Sequence, residues 1–153
     1  MPQYRVAETP APYTKPAGLY VLGPADAYAL SIRMVGYRQE VFRALLLDSK
    51  HRLIRKVSIC KGGLNAAVVH PREMFAPAIT SRAAAIIMVH NHPSGNPEPS
   101  AEDLRLTRRM AEAGTLLGIE VLDHVIVAKG GYVSLREHYP PHGCHESPFD
   151  GGG

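Results

Sequence analysis

The sequence predicts an α/β or α+β domain, and three observations predict it. Segments with strand and helix character interleave along the chain, one continuous apolar run has the length of a strand buried on both faces, and glycine and proline punctuate the boundaries. Taken in order, Ala25 to Val35 places Ala27, Leu30, Ser31, Met34 and Val35 at helical spacing before Gly36, which predicts a short helix. Val41 to Leu47 (VFRALLL) and Leu53 to Ile59 (LIRKVSI) are β-prone runs with Asp48, Ser49, Lys50 and His51 between them, the pattern of a hairpin. Beyond Gly62 and Gly63, His70-Pro71-Arg72-Glu73 opens a second helix carrying Met74, Phe75, Ala78 and Ile79. Ala83 to Val89 (AAAIIMV) is the apolar run, ending directly at His90. Pro93, Gly95, Pro97 and Pro99 then force an irregular loop, and a helix runs from Ser100 to Leu117 with Gly118 as its C-terminal cap. Ile119 to Ala128 reads as a further strand, followed by Lys129-Gly130-Gly131 and the short Tyr132 to Leu135. No internal repeat is present.

At 153 residues the chain fits one domain. Its 45% hydrophobic and 20% charged content is ordinary soluble usage and excludes the composition of a disordered chain. A net charge of +3 allows an anionic partner without requiring one. No stretch approaches the roughly 20 apolar residues that span a bilayer, and the N-terminus lacks the basic-then-apolar order of a signal peptide, so a cytoplasmic protein is expected. The cysteines, Cys60 and Cys144, read as thiols in a reducing compartment. Residues 1–18, with Pro2, Pro10, Pro12 and Pro16, read as a flexible leader, and residues 138–153 as a flexible tail. The domain is expected over 19–137.

The chemistry concentrates in His90 to Asp103 (HNHPSGNPEPSAED), where two imidazoles and a carboxylate stand between the exit of a buried strand and the entry of a helix. Residues i and i+2 of an extended chain share a face, so His90 and His92 can converge on one ion. Asp103 falls in the first helical turn, where the proline-rich loop can bring it beside them. Two His and one carboxylate leave a fourth position of a tetrahedral zinc open, the pattern of a catalytic rather than a structural site. Such an ion lowers the pKa of bound water towards ~7 and polarises a carbonyl. Spacing alone leaves alternatives open: Ser100 to Asp103 is also a capping arrangement, and both histidines could be polar loop residues after a core strand.

The segment matches H-x-H-x7-S-x2-D, with His90, His92, Ser100 and Asp103 in place, and so resembles the metal motif of the JAB/MPN (JAMM) metalloproteases. More narrowly, VFRALLLDSKHRLI, NAAVVHPREMF, AAAIIMVHNHPSGNPEPSAEDLRLTRRM and LLGIEVLDHVIV resemble blocks of the RadC family in that family's order, covering about Gly23 to Glu137. The resemblance implies a cytidine-deaminase-like three-layer sandwich with a mixed sheet flanked by helices. It implies zinc held by His90, His92 and Asp103, and hydrolysis of a peptide or isopeptide bond in a protein or peptide substrate. Glu40 takes the place of the general base on the zinc-bound water, and Ser100 that of the serine that steadies the oxyanion. Two other functions stand beside this one: a DNA-repair role on or near nucleic acid, and a zinc-bound scaffold without turnover. Only a short leader precedes Gly23, without room for the helix-hairpin-helix region of longer RadC proteins, which weighs against direct DNA binding.

Other candidates are weaker. Asp123-His124 reads as a supporting pair within a strand rather than a ligand set. His142, Cys144 and His145 lie in the expected tail, with no scaffold to hold a geometry. Arg105, Arg108 and Arg109 share a helix face by i, i+3, i+4 spacing that could touch phosphates or an acidic protein surface, and a solvated face is the simpler reading.

Overall fold

A computed structural model of the chain describes residues 18–62, 69–140 and 146–150. Strand β1 (Val41–Leu47) and strand β2 (Leu53–Lys61) form the expected antiparallel hairpin, two residues longer than the sequence pattern indicates. Its turn is held by Asp48, whose carboxylate accepts from the backbone N–H groups of Lys50 and Arg52 while His51 adopts φ 61°. Strand β3 (Ala85–Asn91) lies antiparallel to β1 on its other side. A crossover through helix α3 (Ala101–Leu117) then brings β4 (Glu120–Ala128) parallel to β3, and β5 (Gly131–Ser134) closes the order β2-β1-β3-β4-β5.

Alternation along the strands feeds two cores. Phe42, Ala44, Leu46, Ile86 and Met88 face helix α2 (Pro71–Thr80) and α3. Val41, Leu45, Leu47, Ile87 and Val89 face helix α1 (Pro24–Ser31) and the 3-10 turn Ile32–Gly36. Because both faces are largely covered, β1 and β3 read as mostly apolar runs rather than as alternating ones, with Arg43 the exception in β1. The result is a mixed five-stranded sheet between helices, as expected.

Three expectations are corrected. The helix over Ala25 to Val35 is split, with α1 ending at Ser31 and a 3-10 turn taking over. The strand expected to end before His90 runs through it to Asn91, since His90 is paired with Phe42 on one side and Ile126 on the other. In the expected tail, His138 closes a short helix α4 (Leu135–His138), and Ser147 to Phe149 pack on the domain. Ser147 is fully buried, Phe149 lies against the core beside α3, and the Arg136 guanidinium sits 4.1 Å above the Phe149 ring.

Helix α3 carries a glycine that helix propensity alone would have replaced. A Cβ on Gly114 would lie 2.4 Å from the Ile119 carbonyl oxygen and 3.2 Å from Val121 Cγ2. The close approach is what lets Ile119 N–H donate to the Gly114 carbonyl at 2.9 Å and turn the chain from α3 into β4. An exposed helical Gly→Ala change stabilises by roughly 0.5–1 kcal/mol. Gly114→Ala is expected to do the opposite, lowering stability by about 1–3 kcal/mol through overpacking, measured as a loss of denaturant midpoint at constant slope.

Candidate metal centre

Strand β3 delivers His90 and His92 to the same side, and the loop 93–99 returns the chain so that α3 begins beside them. That loop is tied down locally. Gly95, at φ 88°, donates its N–H to the His92 carbonyl, and its own carbonyl accepts from Gly130 N–H at 3.1 Å. Asn96 presents its carbonyl to His92 Nδ1 at 2.9 Å, so the ring donates there and turns Nε2 inward.

His90 Nε2 lies 2.9 Å from His92 Nε2 and 3.2 Å from Asp103 Oδ1, while His92 Nε2 lies 3.3 Å from Asp103 Oδ2. Among the described residues these three form the one group of His, Cys, Asp or Glu side chains that could hold a metal ion. The two readings of Asp103 prove compatible. Its Oδ2 accepts from Ser100 N–H at 2.8 Å and its own N–H donates to Ser100 Oγ at 3.1 Å, a reciprocal capping box, with Oδ1 turned to His90 and Oδ2 also facing His92. Burial acts to raise the Asp103 pKa, but the contacts from His90 and His92 outweigh it and hold the carboxyl far below the usual range. Burial likewise acts to lower the His92 pKa, and its contacts with Asp103 and the Asn96 carbonyl reverse the sign and raise it.

The tautomer of His90 follows from its surroundings. Thr107 Oγ1 is 2.6 Å from the Asp103 carbonyl oxygen, which can only accept, so the single hydroxyl proton goes there. The same oxygen lies 2.6 Å from His124 Nδ1 and therefore accepts from it. His124 is buried and held neutral, its pKa driven well below the usual value by burial and then by the nearby His90. Its Nε2 must then accept, at 2.7 Å, from His90 Nδ1–H. That leaves His90 Nε2 as the ring nitrogen aimed at the cluster. Phe42 stacks beside His90 and meets His124 edge-on, sealing this relay from water. Asp123 supports it from behind, accepting from His124 N–H and from Ser134 Oγ–H.

The relay makes a specific demand on position 124. His124→Phe is expected to preserve the apolar packing yet weaken metal affinity by roughly 10–100-fold, as loss of an outer-sphere partner does. Titration of the chelated protein with a divalent ion checks this. His124→Gln, which retains a side-chain acceptor, is expected to recover part of the affinity.

Glu40 immediately precedes β1 and is half-buried. Asn91 holds that segment: its Oδ1 accepts from Val41 N–H at 2.7 Å and its Nδ2 donates to the Gln39 carbonyl at 3.0 Å. Glu40 is thereby kept close enough to act electrostatically on His92 and on the Cys60 thiol, a free cysteine.

Sequence reasoning missed Asn91 and Thr107. The signal for Asn91 was its place between the two histidines on a strand, where alternation sends it to the opposite side, towards the start of β1. Thr107 stands one helical turn beyond Asp103. The arginines of α3 are partly engaged at the surface, Arg105 with Glu102 and Arg108 with Glu146. His142, Cys144 and His145 lie outside the described residues. Among the described residues no helix is long and apolar enough to cross a membrane.

The RadC-like JAB domain model matches residues 21–140, which include both histidines, Asp103, Ser100 and Glu40. The chain belongs to the RadC-like JAB domain family. Its sheet and flanking helices accord with the JAB/MPN fold. It is 49% identical to a UPF0758 protein of Trichlorobacter lovleyi over 135 residues, 88% of this chain and 56% of that one. It is 54% identical to a UPF0758 protein of Syntrophotalea carbinolica over 105 residues, 69% of this chain and 46% of that one. A UPF0758 protein of Geobacter sulfurreducens is 55% identical over 98 residues, 64% of this chain and 43% of the relative. The RadC-like JAB domain chain thus spans about half the length of the curated relatives it matches.

Proposed function

We propose that this chain is a zinc-dependent metallohydrolase that cleaves a peptide or isopeptide bond. The observation that carries the reading is the convergence of His90 Nε2, His92 Nε2 and the Asp103 carboxylate on one point. The donor set fits zinc. Ligands about 2.0–2.1 Å from a tetrahedral zinc stand roughly 3.3 Å apart, against separations of 2.9, 3.2 and 3.3 Å here. Both imidazoles direct a ring nitrogen inward with the other nitrogen hydrogen-bonded, as ligating histidines do. Three protein ligands leave a position for water or substrate, which favours a catalytic over a structural site.

Zinc bound there would acidify a water molecule and polarise the scissile carbonyl. The remaining steps belong to side chains. Glu40 accepts the water's proton and delivers it to the leaving amine, a task its place beside His92 suits. Ser100 Oγ already accepts from Asp103 N–H, so its hydroxyl proton is available to the developing oxyanion. Asp103, held by the cap, and His90, held by the relay, keep their geometry through the cycle.

Metal analysis of the purified chain together with a library of peptides and isopeptide-linked conjugates tests this reading. The expected result is one zinc per chain and cleavage that a chelator abolishes and zinc restores. Stoichiometric zinc with no cleavage of any member would overturn it in favour of a zinc-bound scaffold.

A further inference from the structure

On the face of the β1–β2 hairpin opposite to His90, two adjoining cavities of about 530 and 670 Å3 form one cleft under the 3-10 turn that follows α1. They share Tyr37, Arg43 and Ser58. Five cations line them: Arg33, Arg38, Arg43, Lys56 and Lys61. The strand register explains the gathering. Arg43 is paired with Ser58, Leu45 with Lys56 and Val41 with Lys61, so these side chains share a face with Val41 and Leu45, the residues packed beneath α1.

Among the described residues the lining of both cavities carries no aspartate or glutamate, and Lys56 Nζ donates to the Leu30 carbonyl at 3.4 Å. The cleft therefore holds more positive charge than the +3 of the whole chain. Like charges gathered in one cleft repel one another, and an anionic occupant relieves that cost. The cleft also borders the segment that precedes β1. Gln39 lines it, Glu40 is the next residue, and the Gln39 carbonyl is bonded to Asn91, which stands between His90 and His92.

We propose that this cleft binds an extended acidic peptide segment, with Asp or Glu side chains on the arginines and lysines, leading the adjoining backbone towards the metal centre. Its role as part of a substrate site rests on the hydrolase reading; its affinity for acidic peptide stands on the charges alone. Arginine and carboxylate pair in bidentate geometry, which favours side-chain carboxylates as the anions. A single-stranded nucleic acid would call for successive aromatic platforms, and the cleft offers only Tyr37.

The test uses the full chain carrying Glu40→Gln, so that binding is read without turnover. Three fluorescent probes are compared by anisotropy: a Gly-Ser peptide with four Glu, the same peptide with four Gln, and a short single-stranded oligonucleotide of equal charge. Expected is a Glu peptide bound about tenfold more tightly than the Gln peptide, weakening as salt rises, as several partly exposed ion pairs acting together would give. Arg33→Glu with Arg38→Glu, both at exposed positions, should lower that affinity about tenfold while thermal melting and zinc content stay unchanged; Lys61→Glu repeats the test from a different element. Equal binding of the Glu and Gln peptides, or undiminished binding by the charge-reversed variants, would overturn the proposal. So would an oligonucleotide that binds more tightly than the Glu peptide. Wild-type chain that binds the acidic peptide through this cleft but cleaves nothing would sink the hydrolase reading and leave the cleft standing. Cleavage of peptides without any effect of the charge reversals would do the reverse.

Discussion

Replacing Asp103 by alanine is expected to remove metal binding and weaken the start of α3 in one step. The carboxylate meets both histidines while its Oδ2 accepts from Ser100 N–H, so one side chain closes the ion site and the capping box together. Metal affinity should fall by more than about 100-fold, beyond the effect of an outer-sphere partner. The chelated protein should also lose about 1 kcal/mol of stability with the cap. Ser100→Ala separates the two effects: it costs the cap to Asp103 N–H but leaves the carboxylate in place, so the metal should stay. Metal titration and thermal melting of both variants check this. The pH dependence has a definite sign. The folded Asp103 pKa is depressed below its unfolded value of about 3.9, so its contribution is present above that pH and lost as pH falls. The stability gap between chelated wild type and Asp103→Ala should therefore narrow on acidification.

Glu40→Gln is expected to keep one metal ion per chain and lower hydrolysis by about 100- to 10,000-fold, the range that proton transfer by a positioned group supplies. The change preserves shape and removes only the ability to take a proton. Glu40 is absent from the cluster that could hold a metal, so ion content should not move. Unchanged turnover of a cleaved substrate with normal metal content would remove Glu40 from the proton path. Asn91→Ala offers an independent check: freeing the Gln39 to Val41 segment should reduce turnover by misplacing Glu40 even though Asn91 touches neither ion nor substrate.

The legibility of the sequence differed from residue to residue for physical reasons. The hairpin, α3 with its Ser100 and Gly118 caps, and the buried β3 were readable because local pattern and turn chemistry agree with the final fold. The end of β3 extends past the sequence reading because the apolar run stops at Val89, whereas pairing on both sides carries the strand to Asn91. Ser147 to Phe149 looked like tail because three residues carry no period. Their burial depends on Arg136 and on a core assembled from distant segments.

By itself, the sequence determined the mixed α/β class, and it set His90, His92 and Asp103 at spacings that let a strand and a helix start present three donors. Those are consequences of local geometry, of period two in a strand and of capping in a first turn. Only the tertiary structure decided that Asp103 caps and faces the histidines at once, that Thr107 and His124 select the ring nitrogen His90 shows, and that Asn91 holds the segment Gln39 to Val41. It also decided that cations from the 3-10 turn region and from both strands of the hairpin share one cleft. Each depends on hydrogen bonds or charges between residues far apart in the chain, and no local pattern records which distant partner a side chain will meet.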